Sequence, residues 1–351
     1  AFCFRPSAIS FKPCIFCFRE NPYPIKNPRP ISISHSYIYA MNYVSIHEGR
    51  VTLSAEGTTA EIWPAHGALL NRWTQHVNGS TIELIDGYDS PEDFVANAEA
   101  KGFRSCKLSP YVCRLNQQLY EYEGTQYKIG KFILNDAALH GLLYNVPFEI
   151  LHHEATDDLA MAILQHRYNA TDAGYPFPFD MTVTYTLQSG KIAINTEVTN
   201  RHSSTIPLAD GWHPYFKLGN SVNDLHLQIA TDTILEFDAA LIPTGVLKPD
   251  QRFTDGAMLA NTELDNCFLL TRSSQEPACV LQDPHSGNAI CIYANENYPY
   301  LQVYTPPHRQ SIAIENLSAA PDVFNNRMGL IELEPDERIG FSCSYEFVQL
   351  T

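Results

Sequence analysis

The strongest constraint on the fold is an alternation of apolar and polar residues with a period of two. In residues 181–187 every second residue is apolar, Ser189 and Gly190 follow, and the alternation returns in residues 192–198. Because successive side chains of a strand point to opposite faces, such a segment can bury one face and expose the other. Two such segments around a Ser-Gly turn predict a β-hairpin.

The same alternation continues towards the C-terminus, in residues 225–229, 301–303 and 312–314. Clusters of Gly, Pro, Asn and Asp separate these segments, and only residues 91–101 have the pattern of a short helix. Many strands with few helices predict an all-β fold, a large antiparallel β-sandwich, rather than a βαβ nucleotide-binding fold. The sequence also lacks a Gly-x-Gly-x-x-Gly or P-loop motif.

Composition excludes several classes of protein. The chain has 351 residues, 44% hydrophobic and 18% charged, which is too apolar for a disordered chain. The net charge of −16 argues against nucleic acid as a partner, because phosphate backbones need a basic surface. No apolar run approaches the roughly 20 residues that a membrane-spanning helix needs, so we expect no membrane association.

The nine cysteines are an odd number and are scattered along the chain. That distribution favours reduced thiols at the surface of a cytoplasmic protein over a disulfide framework. Cys14 and Cys17 form a Cys-x-x-Cys pair without a second ligand pair, so we predict no metal site there. His152, His153 and Glu154 are adjacent on a predicted strand and therefore face opposite sides, which is typical of surface residues rather than metal ligands.

Residues 1–40 differ in composition from the rest of the chain. They hold five Lys or Arg residues against Glu20 alone, and six prolines interrupt any helix or strand. The segment lacks the apolar core of a secretory signal, and its basic, Ser-containing composition overlaps that of a transit peptide. We expect a disordered arm, either non-native or translated upstream of a start at Met41, and a single β-sandwich domain over residues 41–351.

Two polar residues interrupt the alternating pattern in a way that suggests chemistry. Alternation places Ile312 and Ile314 on the core face and Glu315 on the other, together with Tyr300, Gln302 and Tyr304 of the preceding segment. His213 lies in an aromatic segment pinned by Pro and Gly. Taken alone, Glu315 is more often a solvated residue and His213 a structural one. On one concave sheet face they could form an acid–base pair near neutral pH.

Five segments together resemble signatures of the aldose 1-epimerase (galactose mutarotase) family. They are HPYFKL at 213–218, AIENLSAAPDVFNNRMGL at 313–330, SPYVCRL at 109–115, LHG at 139–141 and LDNCF at 264–268. The likeness extends from about Met41 to the C-terminus, and its longest signature is the most specific. The resemblance implies the galactose mutarotase-like supersandwich and interconversion of the α and β anomers of free aldohexoses.

In the family, the position of Glu315 resembles the general base that takes the proton of the anomeric hydroxyl, and that of His213 the acid that protonates the ring oxygen. The positions that hold the sugar hydroxyls correspond to Arg114, His140, Asp265 and Gln302. Opening and reclosing a hemiacetal moves only protons, so no cofactor and no metal are implied, and the expected partner is a monosaccharide. An ordinary His pKa of about 6.5 would place His213 on the alkaline limb and Glu315 on the acid limb of a bell-shaped profile.

Departures from the family pattern leave the sugar open. The segment SPYVCRL keeps Arg114 but loses the first Arg and the Asn of the usual GRYANRI, Leu142 replaces a Gly, Asn316 a Pro, and Trp212 an Asn. Two alternatives therefore remain beside the mutarotase, namely a hexose-6-phosphate 1-epimerase and a non-catalytic carbohydrate-binding sandwich. The sequence carries no signal for the oligomeric state.

Overall fold

Antiparallel strands dominate the structure, a computed structural model that describes residues 41–271 and 276–350. The predicted arm at 1–40, with Cys14 and Cys17, lies outside the described residues. The first part of the chain forms β1 (Tyr43–His47), β2 (Arg50–Ala55), β3 (Thr58–Trp63), β4 (Leu69–Val77), β5 (Ser80–Glu83), α1 (Pro91–Asn97), β6 (Cys106–Leu108), β7 (Arg114–Leu115), β8 (Leu119–Tyr122), β9 (Thr125–Lys128), β10 (Ile133–Leu134) and β11 (Ala137–Leu139).

The middle of the chain contains the longest hairpin. Its elements are β12 (Glu149–Ala155), β13 (Ala160–Tyr168), β14 (Phe179–Gln188), β15 (Lys191–Asn200), β16 (Ile206–Leu208), β17 (Gly211–His213), β18 (Tyr215–Phe216), β19 (His226–Ile229), β20 (Thr231–Phe237) and β21 (Pro243–Pro249). The hairpin predicted from the alternation is confirmed as β14 and β15, with Gly190 at a φ of +68° in the turn. Its apolar residues alternate with half-buried polar ones, as the period of two requires.

The last part of the chain carries the strands that matter most for function. They are β22 (Ala257–Met258), β23 (Asp265–Leu270), β24 (Cys279–Gln282), β25 (Asn288–Ala294), β26 (Tyr300–Tyr304), β27 (Ile312–Leu317), α2 (Val323–Asn326), β28 (Ile331–Leu333) and β29 (Arg338–Gln349). Two short 3-10 turns, at Asn116–Gln118 and Val222–Asp224, complete the described elements.

Three large sheets define the architecture. Their strand orders are β1-β2-β3-β4-β5, β12-β13-β14-β15-β29-β25-β24-β19-β22 and β21-β20-β23-β26-β27-β17-β6, and β18 also pairs with β27. The remaining pairs form small sheets, β10-β11-β7, β16-β28 and β8-β9. The predicted all-β antiparallel sandwich is therefore confirmed.

Aromatic side chains fill the space between the two largest sheets. Trp212 of the eight-stranded sheet lies edge-on to Tyr185 of the nine-stranded sheet with ring centroids 6.1 Å apart, and Phe216 meets Tyr345 at 4.9 Å. Large rings in edge-to-face contact contribute about 0.5–1.5 kcal/mol beyond the area they bury. One face of the eight-stranded sheet therefore packs into the core. Its other face is available to form a binding site.

Two sequence expectations about local structure were wrong. The predicted helix at 91–101 ends at Asn97, because the chain turns until Gly102 at a φ of +73°, and α2 adds a second short helix. The cysteines were expected at the surface, yet of those that the structure describes only Cys291 is half-buried and the other five are buried. A thiol packs as a small apolar group, which explains their burial. Within the described residues, no helix is long and apolar enough to cross a membrane.

Candidate active site

Four adjacent strands of the eight-stranded sheet place four of the predicted residues on one face. Asp265 begins β23, Gln302 is central in β26, Glu315 lies in β27 and His213 ends β17, and these strands are consecutive in the sheet. Gln302 is the direct register partner of Glu315. Side chains opposite each other across neighbouring strands lie close together, so the register itself assembles the group.

Alternation along β27 and β17 explains why Glu315 and His213 share this face. Trp212 precedes His213 and points to the opposite face, where its Nε1 lies 3.4 Å from Thr196 Oγ1 of β15. Asn316 follows Glu315 and is buried on the core face, the face to which Trp212 points. All six residues of β27 are buried, including those on the face that carries Glu315.

The other two predicted residues come from the loops that cover this face. Arg114 lies in β7. His140 directly follows β11, the strand that pairs with β7. Gly141 keeps this crossing tight, since a Cβ added to it would lie 2.1 Å from the Ser109 carbonyl oxygen, and its φ is +75°. The Leu-His-Gly motif therefore has a steric reason for its glycine.

All six predicted side chains line one cavity of about 260 Å³, which we call the inner cavity. This volume lies just below the roughly 300–1,000 Å³ range typical of small-molecule sites. Its walls also contain residues outside the six predicted for the site: Glu99, Gly102, Phe103, Cys113, Leu134, Leu139, Tyr215, Phe237, Leu241, Tyr304 and Pro321. Alternation had placed Tyr304 beside Gln302, but the wall residues from turns had no signal in the pattern.

Glu315 and His213 form the buried floor of the inner cavity. The Oε1 atom of Glu315 lies 3.3 Å from Nε2 of His213, and their side chains are 3% and 7% exposed. The second oxygen, Oε2, faces the thiol of Cys113, with Sγ at 4.0 Å. The His213 ring stacks on Tyr215 at 5.3 Å and meets the edge of His140 at 5.0 Å, so packing fixes its orientation.

Burial shifts the two proton-carrying groups of the floor in opposite directions. It raises the pKa of Glu315 well above its ordinary value, and the nearby charge of Asp265 adds to the rise. It lowers the pKa of His213 to about 4. The expectation that His213 keeps an ordinary pKa is wrong for this reason, since a buried site disfavours the imidazolium.

Asp265 and Gln302 are hydrogen-bonded to each other on the wall beside this floor. Gln302 Nε2 donates to Asp265 Oδ1 at 2.7 Å, while its own Oε1 is buried without a hydrogen-bond partner among the described residues. Desolvation raises the pKa of Asp265, and the charge of Arg114 opposes that rise. Burial also lowers the pKa of His140 well below its ordinary value, with the positive charges of His213 and Arg114 as further causes.

Within residues 41–271 and 276–350, no group of three or more His, Cys, Asp or Glu side chains is placed to hold a metal ion. His152 and Glu154 are exposed on β12 and form a surface contact of 3.5 Å. The inner cavity instead brings the carboxyl of Glu315 and the imidazole of His213 together among hydrogen-bonding groups. Such a set suits proton transfer to and from a hydroxyl-rich ligand.

Comparisons with known proteins identify the family of the chain. The family model for aldose 1-epimerase matches residues 49–346, so the chain belongs to the aldose 1-epimerase family. The chain is 27% identical over 239 residues to the uncharacterised protein YihR of Escherichia coli, covering 65% of this chain and 73% of that one. It is 29% identical over 150 residues to mouse galactose mutarotase, covering 38% of this chain and 43% of the mouse enzyme.

A solved structure extends the likeness to the whole fold. A galactose mutarotase-like protein from Clostridium acetobutylicum superposes with a TM-score of 0.78 at 18% identity, over 88% of this chain and 98% of that one. At this identity the superposition establishes the supersandwich fold alone. The sugar and the roles of individual residues must be argued from the site.

Proposed function

We propose that the protein is an aldose 1-epimerase, a mutarotase that interconverts the α and β anomers of free aldohexoses. The observation that carries the proposal is the contact of 3.3 Å between Glu315 Oε1 and His213 Nε2 at the buried floor of the inner cavity. An acid and a base side by side are what ring opening of a hemiacetal requires.

The reaction balances with protons alone. Glu315 takes the proton of the anomeric hydroxyl, the C1–O5 bond breaks, and His213 gives a proton to the ring oxygen, which leaves the open aldehyde. Rotation about the C1–C2 bond turns the other carbonyl face towards the O5 hydroxyl. On reclosure the O5 hydroxyl returns its proton to His213. Glu315 gives its proton to the aldehyde oxygen, which becomes the new anomeric hydroxyl. No hydride or phosphoryl group moves, so the proposed reaction needs no cofactor.

The opposed pKa shifts suit this cycle. Before ring opening the pair holds one proton on His213, and after it one proton on Glu315. Burial raises the pKa of the carboxyl well above its ordinary value and lowers that of the imidazole to about 4, so both shifts favour the one-proton state that carries the proton on Glu315. They therefore stabilise the open-chain stage of the cycle, in which Glu315 holds that proton.

The surrounding groups are suited to hold the ring during the open-chain step. Gln302 Nε2 and Asp265 Oδ1 are paired with each other. The remaining oxygens, Asp265 Oδ2 and Gln302 Oε1, can therefore accept hydrogen bonds from sugar hydroxyls. Arg114 and His140 line the same cavity and offer hydrogen-bond donors. We propose these four residues as the substrate-binding set, since holding the ring fixes O1 and O5 against the floor.

The charge of the inner cavity favours a neutral sugar over a phosphosugar. Three carboxylates line it, those of Glu99, Asp265 and Glu315, against the single guanidinium of Arg114. Two arginines of the C-terminal part of the chain are engaged elsewhere. Arg309 donates to Asn223 and to two carbonyl groups, and Arg327 pairs with Glu332 at 2.9 Å. A phosphate dianion is best held by forked cationic donors, which this wall does not gather.

The proposal includes a free monosaccharide as partner, no nucleic acid or membrane, and a cytoplasmic location. Its test is polarimetry of freshly dissolved α-glucose, α-galactose and α-glucose 6-phosphate with and without the protein. We expect the approach to rotational equilibrium to accelerate for the free sugars and not for the phosphate. Acceleration of the phosphate alone would support the phosphosugar epimerase, and binding of sugars without acceleration would support a carbohydrate-binding sandwich.

A further inference from the structure

The imidazole of His213 is stacked on the ring of Tyr215, two residues further along the chain. The two ring centroids are 5.3 Å apart and the ring planes differ by 5°, an offset parallel arrangement that aromatic rings favour. Tyr215 is fully packed, with 1% of its surface exposed. The position of the imidazole, and with it the distance of 3.3 Å from Nε2 to Glu315 Oε1, therefore depends on where this ring lies.

Arg104 lies over the ring of Tyr215. Its Cζ atom is 5.7 Å from the ring centroid, within the range in which a guanidinium is attracted to the face of an aromatic ring. The side chain of Arg104 is only 13% exposed, and this attraction is stronger where water is excluded. Tyr215 and His213 line the inner cavity, whereas Arg104 does not. The guanidinium therefore stands outside the cavity, one ring removed from His213.

Asp86 fixes Arg104 and Tyr215 relative to each other. Its Oδ1 accepts from Arg104 Nη1 at 2.8 Å, and its Oδ2 accepts from Ser311 Oγ at 2.7 Å. Its backbone N–H donates to the carbonyl of Tyr215 at 2.9 Å. One residue thus binds the guanidinium through its side chain and the tyrosine through its backbone. Asp86 does not line the inner cavity either.

The segment 102–105, which carries Arg104, also contacts both stacked residues through its backbone. The N–H of Ser105 donates to the carbonyl of His213 at 2.7 Å. A Cβ added to Gly102 would collide with Tyr215 Oη, so the glycine lets the chain pass close to the ring. Gly102, Arg104 and Ser105 therefore each meet one of the two stacked residues.

Hydrogen bonding accounts for only part of the placement of Arg104. Both of the hydrogen bonds described for its guanidinium leave from Nη1, to Asp86 and to the Gly87 carbonyl at 3.2 Å. Its Nε is buried without a hydrogen-bond partner among the described residues. A buried donor without an acceptor costs free energy, so the contact with the ring of Tyr215 is a needed part of what holds the guanidinium.

We infer that Arg104 is a positioning residue that acts on His213 through the ring of Tyr215. The inference rests on the proposed function, because the placement of the imidazole affects the rate only if the imidazole transfers a proton. Arg104 lines no wall of the inner cavity, so its loss leaves the groups that hold the sugar in place. A displaced proton donor lowers the rate of the chemical step, and the defect should therefore appear in kcat rather than in KM.

The first measurement is steady-state polarimetry of Arg104→Met on freshly dissolved α-glucose. Methionine keeps an apolar stem but removes the cation and its bond to Asp86. We expect kcat to fall about tenfold to a hundredfold, the effect of a small displacement of a catalytic group, and KM to stay within about twofold. Arg104→Lys keeps a cation for the ring and the carboxylate, so its kcat should lie between those of Arg104→Met and the wild type.

Arg201→Met is the matched control. Arg201 also pairs with an aspartate at 2.8 Å, Asp180, but it lines no wall of the inner cavity, so kcat should be unchanged. An Arg104→Met protein with the wild-type kcat, or with a raised KM as its only defect, would overturn the inference while leaving the proposed function intact. If the wild type does not accelerate mutarotation, the proposed function fails and the inference falls with it.

A double-mutant cycle with His213→Asn separates positioning from general damage to the fold. If Arg104 acts through the imidazole, adding Arg104→Met to His213→Asn should leave the remaining kcat unchanged, measured at a raised protein concentration. A loss by the same factor in both backgrounds would overturn the inference. Asp86→Ala keeps the protein testable if Arg104→Met does not fold. It removes the carboxylate that holds Arg104 but keeps the backbone N–H that binds Tyr215, so it should lower kcat only where His213 is present, and a wild-type kcat would likewise overturn the inference.

Discussion

The backbone N–H of His140 donates to the carbonyl oxygen of Cys113 over 2.8 Å, and both residues have left-handed backbones, with φ of +60° and +49°. Left-handed conformations are uncommon outside glycine and cost about 1 kcal/mol or more per residue. Both residues line the inner cavity. This bond therefore joins two strained positions and aims Cys113 at Glu315.

The thiol of Cys113 should tune the proton affinity of Glu315. Its Sγ is the donor to Oε2, and a donor to a carboxylate stabilises the ionised form. Cys113→Ala should therefore raise the pKa of Glu315 and move the alkaline limb of the pH–rate profile to higher pH. Cys113→Ser, a stronger donor, should move it to lower pH. Cys291→Ala, a half-buried cysteine on β25, is the control, and a limb that moves in neither variant would refute the role.

The wild-type pH profile should be a broad bell. The active pair holds one proton, so activity is lost where it gains a second and where it loses its last. With the pKa of His213 lowered to about 4 and that of Glu315 raised, the acid limb should fall near pH 4 and the alkaline limb above the ordinary range of a carboxyl. The limbs belong to the coupled pair, with Asp265 and Cys113 as charged or titratable neighbours. Initial rates above the uncatalysed rate check this, and an acid midpoint near 6.5 would contradict it.

Substitutions of His213 and of Asp265 should change kcat and KM in different ways. His213→Asn removes a proton transfer that exists only in the transition state, so kcat should fall by about 10²–10⁴ with little change in KM. Asp265→Asn weakens the hold on the sugar hydroxyls, so KM should rise as well. Steady-state polarimetry separates the two patterns. If His213→Asn keeps full kcat, the imidazole is structural and His140 becomes the candidate acid.

A buried ion pair behind the floor should carry part of the stability of the fold. Lys107 Nζ lies 2.6 Å from Asp210 Oδ1, both side chains are fully buried, and Tyr298 also donates to that oxygen at 2.6 Å. Lys107→Met leaves the carboxylate buried without its cation and should lower the free energy of unfolding by about 3–5 kcal/mol. Urea denaturation measures the change. The double variant Lys107→Met/Asp210→Leu should recover most of the loss, and a single-variant loss below about 1 kcal/mol would contradict the account.

Much of the sheet structure could be predicted from the sequence because long strands such as β14 bury one face and leave the other half-buried. Residues 181–187 and 192–198 alternate in sequence and become β14 and β15 in register. The pattern could not give the end of α1, which depends on the turn to Gly102, or the burial of both faces of β27. These features are set by the residues packed above the strand, which lie far away in sequence.

The residues of the candidate site that lie in strands or in family motifs could be predicted from the sequence. Glu315 and Gln302 fall on one face by alternation, and their register places them opposite each other. Glu99, Phe103 and Phe237 reach the inner cavity from turns and strand ends, where no periodicity applies. The assignment of residues 1–40 as a disordered arm stays a prediction.

The most direct test of the account is the initial mutarotation rate of Glu315→Gln on freshly dissolved α-glucose. Glutamine keeps the shape of the side chain but cannot accept a proton, so the rate should fall by about 10²–10⁴ while the protein remains folded. Glu121→Gln, the same change at an exposed position on β8, should retain the wild-type rate. A Glu315→Gln protein that accelerates mutarotation as well as the wild type would contradict the central claim that Glu315 is the base.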